Sequence, residues 1–225
     1  KDDLKPSLTG VYFKFEKDTL TAVATDGHRL AKYVRSDFKA GQFQGEVIVP
    51  RKFLNIITAY ITNDEPAQLW LGNNVFTATI GVDTIYTRII DERFPDYQSV
   101  IPTDNEKEIT VGCNNLLSAV KRVSIFSNKT THQIAMRAIK GSATITTEDP
   151  EKASKAQETI DIEYAGDSID VGYNAAYLKD ILAHMNSNEI TIKLNSPISA
   201  GLFYPTTLSD NVQTTMLLMP IRLND

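Results

Sequence analysis

The sequence predicts an α+β protein built from two copies of one fold. Short alternating segments outnumber helical ones, only three stretches carry a helical apolar stripe, and the order of elements recurs along the chain. Runs of strands with few helices between them indicate antiparallel pairing, not βαβ units.

The elements follow in order. Val11, Phe13 and Phe15 alternate in VYFKF, as a half-buried strand requires. The segment RKFLNIITAYIT (51–62) places Phe53, Ile56, Ile57, Tyr60 and Ile61 on one helical face, with Pro50 just before its first turn. Leu69 and Leu71 alternate in LWL. A Pro-, Asp- and Asn-rich linker follows, DERFPDYQSVIPTDNEK (91–107). A second helix is expected over 114–128, striped by Leu116, Leu117, Val120 and Val123. A third is expected over 174–186, striped by Tyr177, Leu178, Ile181, Leu182 and Met185, with Asn174 as its N-cap. Ile190, Ile192 and Leu194 then alternate in ITIKL.

Sliding the chain along itself lays LTAVATDGHRLAK (20–32) over SATITTEDPEKAS (142–154), and the helix at 51–62 falls near that at 174–186. Two domains are expected, 1–102 and 103–225. The second copy carries a strand and a helix (108–128) that the first has no room for, so the chain is expected to begin inside a domain of a longer protein.

A composition 42% hydrophobic and 23% charged is that of an ordinary globular protein. No apolar run approaches the roughly 20 residues of a membrane helix. A lone cysteine, Cys113, excludes an internal disulfide, fits a reducing compartment and so a cytoplasmic location, and is expected in the core. The net charge of −5 argues against a protein that grips nucleic acid tightly over a broad basic face. That charge is uneven. Eight acids and two lysines lie between Glu148 and Asp170, while the three helices carry one acid, Asp180.

Reactive side chains are densest in VATDGHRLAKY (23–33), with Thr25, Asp26, His28 and Arg29 close together. As a metal site it offers two ligands where zinc needs three or four. As a hydrolase dyad, Asp26 would orient His28, but no G-x-S-x-G or Cys/His signature supplies a nucleophile. Neither a Walker A nor a G-x-G-x-x-G sequence is present. As a corner between strands the stretch is well formed, because Asp caps backbone amides and Gly supplies positive φ.

Four motifs in order, VATDGHRLA (23–31), VIVPRK (47–52), RFPDYQSVIP (93–102) and LLMPIRL (217–223), give the chain a resemblance to bacterial sliding clamps, the beta subunit of DNA polymerase III. The resemblance covers essentially the whole chain and corresponds to the second and third of that family's three domains. It implies the repeated DNA-clamp fold, with antiparallel sheets outside and helices lining one face. It implies a homodimeric ring around duplex DNA, opened by a separate loader, with no catalytic activity, cofactor, metal or membrane of its own. This two-domain chain would then be unable to close a normal ring.

The resemblance also implies that polymerase and clamp-loader subunits dock short peptides, rich in Gln, Leu and Phe, into an apolar pocket between those two domains. By motif match its residues are Leu8, Thr25, Gly27, His28, Arg29, Leu30, Pro95, Ser99, Val100, Leu217, Met219, Pro220, Ile221 and Arg222. Ser99 stands where the family often has arginine, and Asn224 and Asp225 extend beyond the leucine at which members commonly stop. Sparse cations on the helices, Arg51, Lys52, Lys121, Arg122 and Lys179, with Lys129 just beyond the second, would attract phosphates without holding them. A small β-rich hydrolase using Asp26 and His28 is the alternative.

Overall fold

The computed structural model of the chain describes residues 5–41, 43–61, 66–207 and 210–223. The expectations touching Lys1 to Leu4, Thr62, Asn224 and Asp225 lie outside the described residues. Two compact units are formed. The first comprises Lys1–Asp26, Lys32–Tyr97 and Asn211–Gln213, and the second Gly27–Ala31, Gln98–Asp210 and Thr214–Asp225.

The first unit holds β1 (Gly10–Phe15), β2 (Leu20–Thr25), β4 (Gly45–Pro50) and, from Lys32 onward, β3 (Arg29–Arg35), in the sheet order β4-β1-β2-β3. Helix α1 (Arg51–Tyr60) follows β4, and β5 (Gln68–Leu71), β6 (Val75–Ile80) and β7 (Asp83–Arg88) form a three-stranded antiparallel meander. Phe15, Val47, Val49, Phe53, Ile57, Phe76, Ala78 and Ile80 make its core.

The second unit repeats this plan and adds to it. Strand β8 (Lys107–Gly112) and helix α2 (Cys113–Val123) come first. Then β9 (Gln133–Ile139), β10 (Ser142–Asp149), β11 (Ser154–Asp161) and β12 (Ile169–Asn174) stand in the order β11-β10-β9-β12. After α3 (Ala175–Ala183), β13 (Glu189–Leu194), β14 (Gly201–Pro205) and β15 (Val212–Leu218) form a meander with β8 beside β13. The order β12-β9-β10-β11 matches β4-β1-β2-β3, so the repeat read from the sequence is a repeat of topology. Antiparallel sheets with few helices are what the sequence predicted.

The helix stripes are met in part. In α2, Leu116, Val120 and Val123 are buried, and the α-helix ends at Val123, earlier than predicted, with a 3₁₀ turn at Ser124–Phe126. In α3 the Asn174 side chain accepts from the backbone N–H groups of Ala176 and Tyr177 at 2.9 and 3.3 Å, as its N-cap role requires. In α1 only Phe53 and Ile57 are buried, whereas Ile56 and Tyr60 are 40% and 47% exposed. The reason is visible in the second unit, where α3 packs beside α2. Among the described residues the first unit has no second helix to cover that side of α1.

Strand β1 also departs from simple alternation. Tyr12, placed by period on the solvent side, is buried because the Phe94 ring stacks on it with centroids 4.9 Å apart, while its hydroxyl donates to Glu46 Oε2 at 2.6 Å. The linker covers a face that periodicity leaves to water. Cys113 is buried, its Sγ 3.4 Å from the Leu182 carbonyl oxygen, and burial raises its pKa. No helix among the described residues is long and apolar enough to cross a membrane.

Candidate peptide-docking site

The segment 25–29 forms a corner between β2 and β3. Gly27 takes φ +86°, a conformation that side-chain-bearing residues rarely adopt, and this turns the chain so that His28 and Arg29 face the second unit's own elements. The His28 ring stacks on Tyr177 of α3, with centroids 5.8 Å apart and planes 23° from parallel. The Arg29 guanidinium carbon lies 4.7 Å from the centroid of the same ring, and its Nη1 donates to Asp180 Oδ2. One turn on, the Asp180 carbonyl oxygen lies 2.8 Å from His184 Nδ1. Leu30 turns inward and is buried.

The C-terminal segment meets this corner. Leu217 and Leu218 end β15 as buried residues, and the Met219 backbone N–H then donates to the His28 carbonyl oxygen at 2.9 Å. Two residues later the Ile221 N–H donates to the Gly172 carbonyl oxygen at 2.8 Å. Met219 is 43% exposed beside the exposed His28, so a soft apolar side chain and an aromatic ring share one surface. Pro220 and Ile221 are half-buried, and Arg222 is exposed.

The second unit thus brings together Gly27, His28, Arg29 and Leu30 with Leu217, Met219, Pro220, Ile221 and Arg222. Ser99 and Val100 belong to the same unit and are exposed at its start. Leu8, in a 3₁₀ turn at Pro6–Thr9, Thr25 at the end of β2, and Pro95 next to the anchored Phe94 belong to the first unit.

Sequence reasoning missed Tyr177 and Asp180. Tyr177 sits in the apolar stripe of α3 and was expected in the core, but it is only half-buried and serves His28 and Arg29 instead. The one acid in the three predicted helices, Asp180, was the available signal. Among the described residues no cluster of three or more His, Cys, Asp or Glu could hold a metal ion.

The cations read as phosphate contacts fall into two sets. Arg51 and Lys52 open α1 and are exposed. Lys121 and Arg122 close α2, where the helix dipole favours positive charge. Lys179 Nζ donates to Ser124 Oγ at 3.1 Å, and that hydroxyl donates to the Lys121 carbonyl oxygen at 3.0 Å, which draws Lys179 to the end of α2. Lys129 is exposed just beyond. Arg122 is exposed and paired, its Nε donating to Glu158 Oε2 at 2.9 Å, which raises its own pKa and lowers that of Glu158.

Residues 1–96 match the family model for the central domain of the DNA polymerase III beta subunit, and residues 98–222 match that for its C-terminal domain. The chain belongs to the DNA polymerase III beta subunit family. Within it, the beta sliding clamp of Vibrio cholerae is 29% identical over 222 residues, covering 98% of this chain and 59% of that protein. The Pseudomonas putida clamp is 31% identical over 99% of this chain and 60% of its own length. Among solved structures, a Pseudomonas aeruginosa sliding clamp with ligand superposes with a TM-score of 0.92 at 30% identity, covering 99% of this chain and 60% of that one. A Bartonella birtlesii clamp bound to griselimycin gives 0.90 at 26%, with the same coverage. The chain therefore spans about 60% of the length of these beta subunit relatives.

Proposed function

We propose that this chain is the central and C-terminal part of a sliding clamp, a non-catalytic bacterial cytoplasmic protein that encircles duplex DNA and tethers polymerase through short peptides. The observation that carries the docking half is the surface formed by His28 and Arg29 on Tyr177, tied through the His28 carbonyl to the segment bearing Met219. An exposed thioether, an aromatic ring and a fixed guanidinium suit a peptide that offers leucine or phenylalanine beside a glutamine amide. A hydrolase dyad is less well supported, since the His28 ring is occupied by an aromatic stack.

Sparse helix cations on a chain of net charge −5 support a sliding contact with DNA, in which phosphates are attracted and readily released. Assembly into a homodimeric ring is supported by the second unit. Strand β11 ends its sheet, and Ile125 and Phe126 beside it are 66% and 44% exposed, with Ser154 of β11 donating to the Phe126 carbonyl oxygen at 3.2 Å. An open strand edge flanked by apolar side chains is a natural joint between protomers.

The test is titration of a fluorescent Gln-Leu-Phe peptide into the chain, with griselimycin as competitor. One-to-one saturable binding displaced by griselimycin is expected. Absence of binding by the folded chain refutes the docking assignment.

A further inference from the structure

We propose that Gly172, a strand residue outside the matched motifs, is the positioning residue that sets where the C-terminal docking segment lies; this rests on the peptide-docking reading above. Strand β12 is the last of its sheet, paired with β9 on one side only, with Gly172 opposite Ala135. On its other side Gly172 bridges to Ile221, accepting the Ile221 N–H at 2.8 Å.

The approach is too close for any side chain. A Cβ placed on Gly172 would lie 2.4 Å from the Ile221 carbonyl oxygen and 2.8 Å from Leu223 Cδ2. Ordinary contact begins at 3.4 Å, so a single methyl group demands a shift of about 1 Å. Which partner yields is decided by burial. Val171 and Tyr173, on either side of Gly172, are fully buried, and β12 is held in register along β9 from Ile169 to Asn174. The segment beyond Leu218 is held by backbone bonds at Met219 and at Ile221, with Pro220 between them carrying no N–H. The segment is therefore the part that moves.

Such a shift matters because Met219 is fixed to His28 at one end of this short run and Ile221 to Gly172 at the other. Gly172 thus aligns Pro220 and Arg222 relative to the His28–Tyr177 stack without itself presenting a group to the peptide. Sites displaced by about 1 Å lose much of their affinity even when every contacting residue is present.

The experiment compares Gly172→Ala with the unsubstituted chain by peptide titration, thermal unfolding and hydrogen exchange at the Ile221 amide. The expected result is peptide binding weakened at least fivefold and Ile221 exchange at least tenfold faster, with the thermal midpoint within about 4 °C. In the unsubstituted chain, bound peptide should slow Ile221 exchange, a readout that stands even if Gly172→Ala does not fold. Unchanged peptide affinity in a folded Gly172→Ala chain, or Ile221 exchange indifferent to peptide, overturns the positioning role. If the unsubstituted chain binds no peptide, the docking reading itself fails and takes this role with it. Faster Ile221 exchange in the variant would then show an anchor of structure alone.

Discussion

The backbone N–H of Met219 donates to the carbonyl oxygen of His28 at 2.9 Å, joining the C-terminal segment to the Asp-Gly corner. The bond is between main chains, so substitution of either side chain leaves the connection in place and changes only the surface it presents. That separation of scaffold from surface makes the side chains at 28 and 219 testable one at a time.

His28→Ala removes the ring stacked on Tyr177. Aromatic pairs contribute about 0.5–1.5 kcal/mol, or roughly 2- to 12-fold in Kd if the stack is part of the docking surface. His28→Phe keeps the stack and is expected to recover most of the loss. Anisotropy titration of a labelled peptide against the three proteins checks this. Equal weakening by Ala and Phe would mean that the imidazole nitrogens, not the ring face, carry recognition.

The two helices that share a stripe pattern differ in what they bury, and stability should show it. Leu116 is fully buried, so Leu116→Ala is expected to cost about 2–5 kcal/mol. Ile56 is 40% exposed, so Ile56→Ala should stay within about 0.5 kcal/mol. Denaturant unfolding followed separately in each unit distinguishes them.

That contrast also shows how much of the molecule is legible in the sequence. The repeat, the three helices, the Asn174 cap and the Asp-Gly corner all depend on residues close in the chain, and they were readable. The exposed flank of α1 was not, because periodicity reports which residues share a face and not whether anything covers it. The burial of Tyr12 was not legible for the opposite reason, since its cover, Phe94, comes from a linker with no periodicity at all. At the candidate site the motif residues were legible, while Tyr177 and Asp180 were hidden inside an ordinary amphipathic pattern. Their role depends on folding that brings α3 to a corner far away in sequence.

The Tyr12 hydroxyl gives the first unit an alkaline limit. Burial first, and then the hydrogen bond to Glu46, hold its pKa well above the ordinary tyrosine value near 10. A group whose folded pKa is raised contributes stability that is complete below its unfolded pKa and declines above it, here from about pH 10 upward. Tyr12→Phe is expected to flatten the fall in the first unit's unfolding midpoint between about pH 9.5 and 11. An equally steep fall in the variant would assign the effect to other tyrosines.

Glu158 occupies one of the cations proposed to face DNA. Glu158→Gln should release Arg122, tighten binding of a short duplex at low salt and steepen its salt dependence. Lys121→Gln should do the reverse, reducing the slope of log K against log salt by about 0.9 if one phosphate contact is lost. Duplex titrations at several salt concentrations decide between these and a surface that does not meet DNA.

The central claim, that residues 27–30 and 217–222 form one peptide-docking surface, is tested most directly by mapping a bound Gln-Leu-Phe peptide through NMR shift changes in the labelled chain. The account predicts that the largest changes fall on the His28 and Met219 amides and the Tyr177 ring, with Ile221 next. Saturable binding that leaves these four unchanged and perturbs residues elsewhere would contradict it.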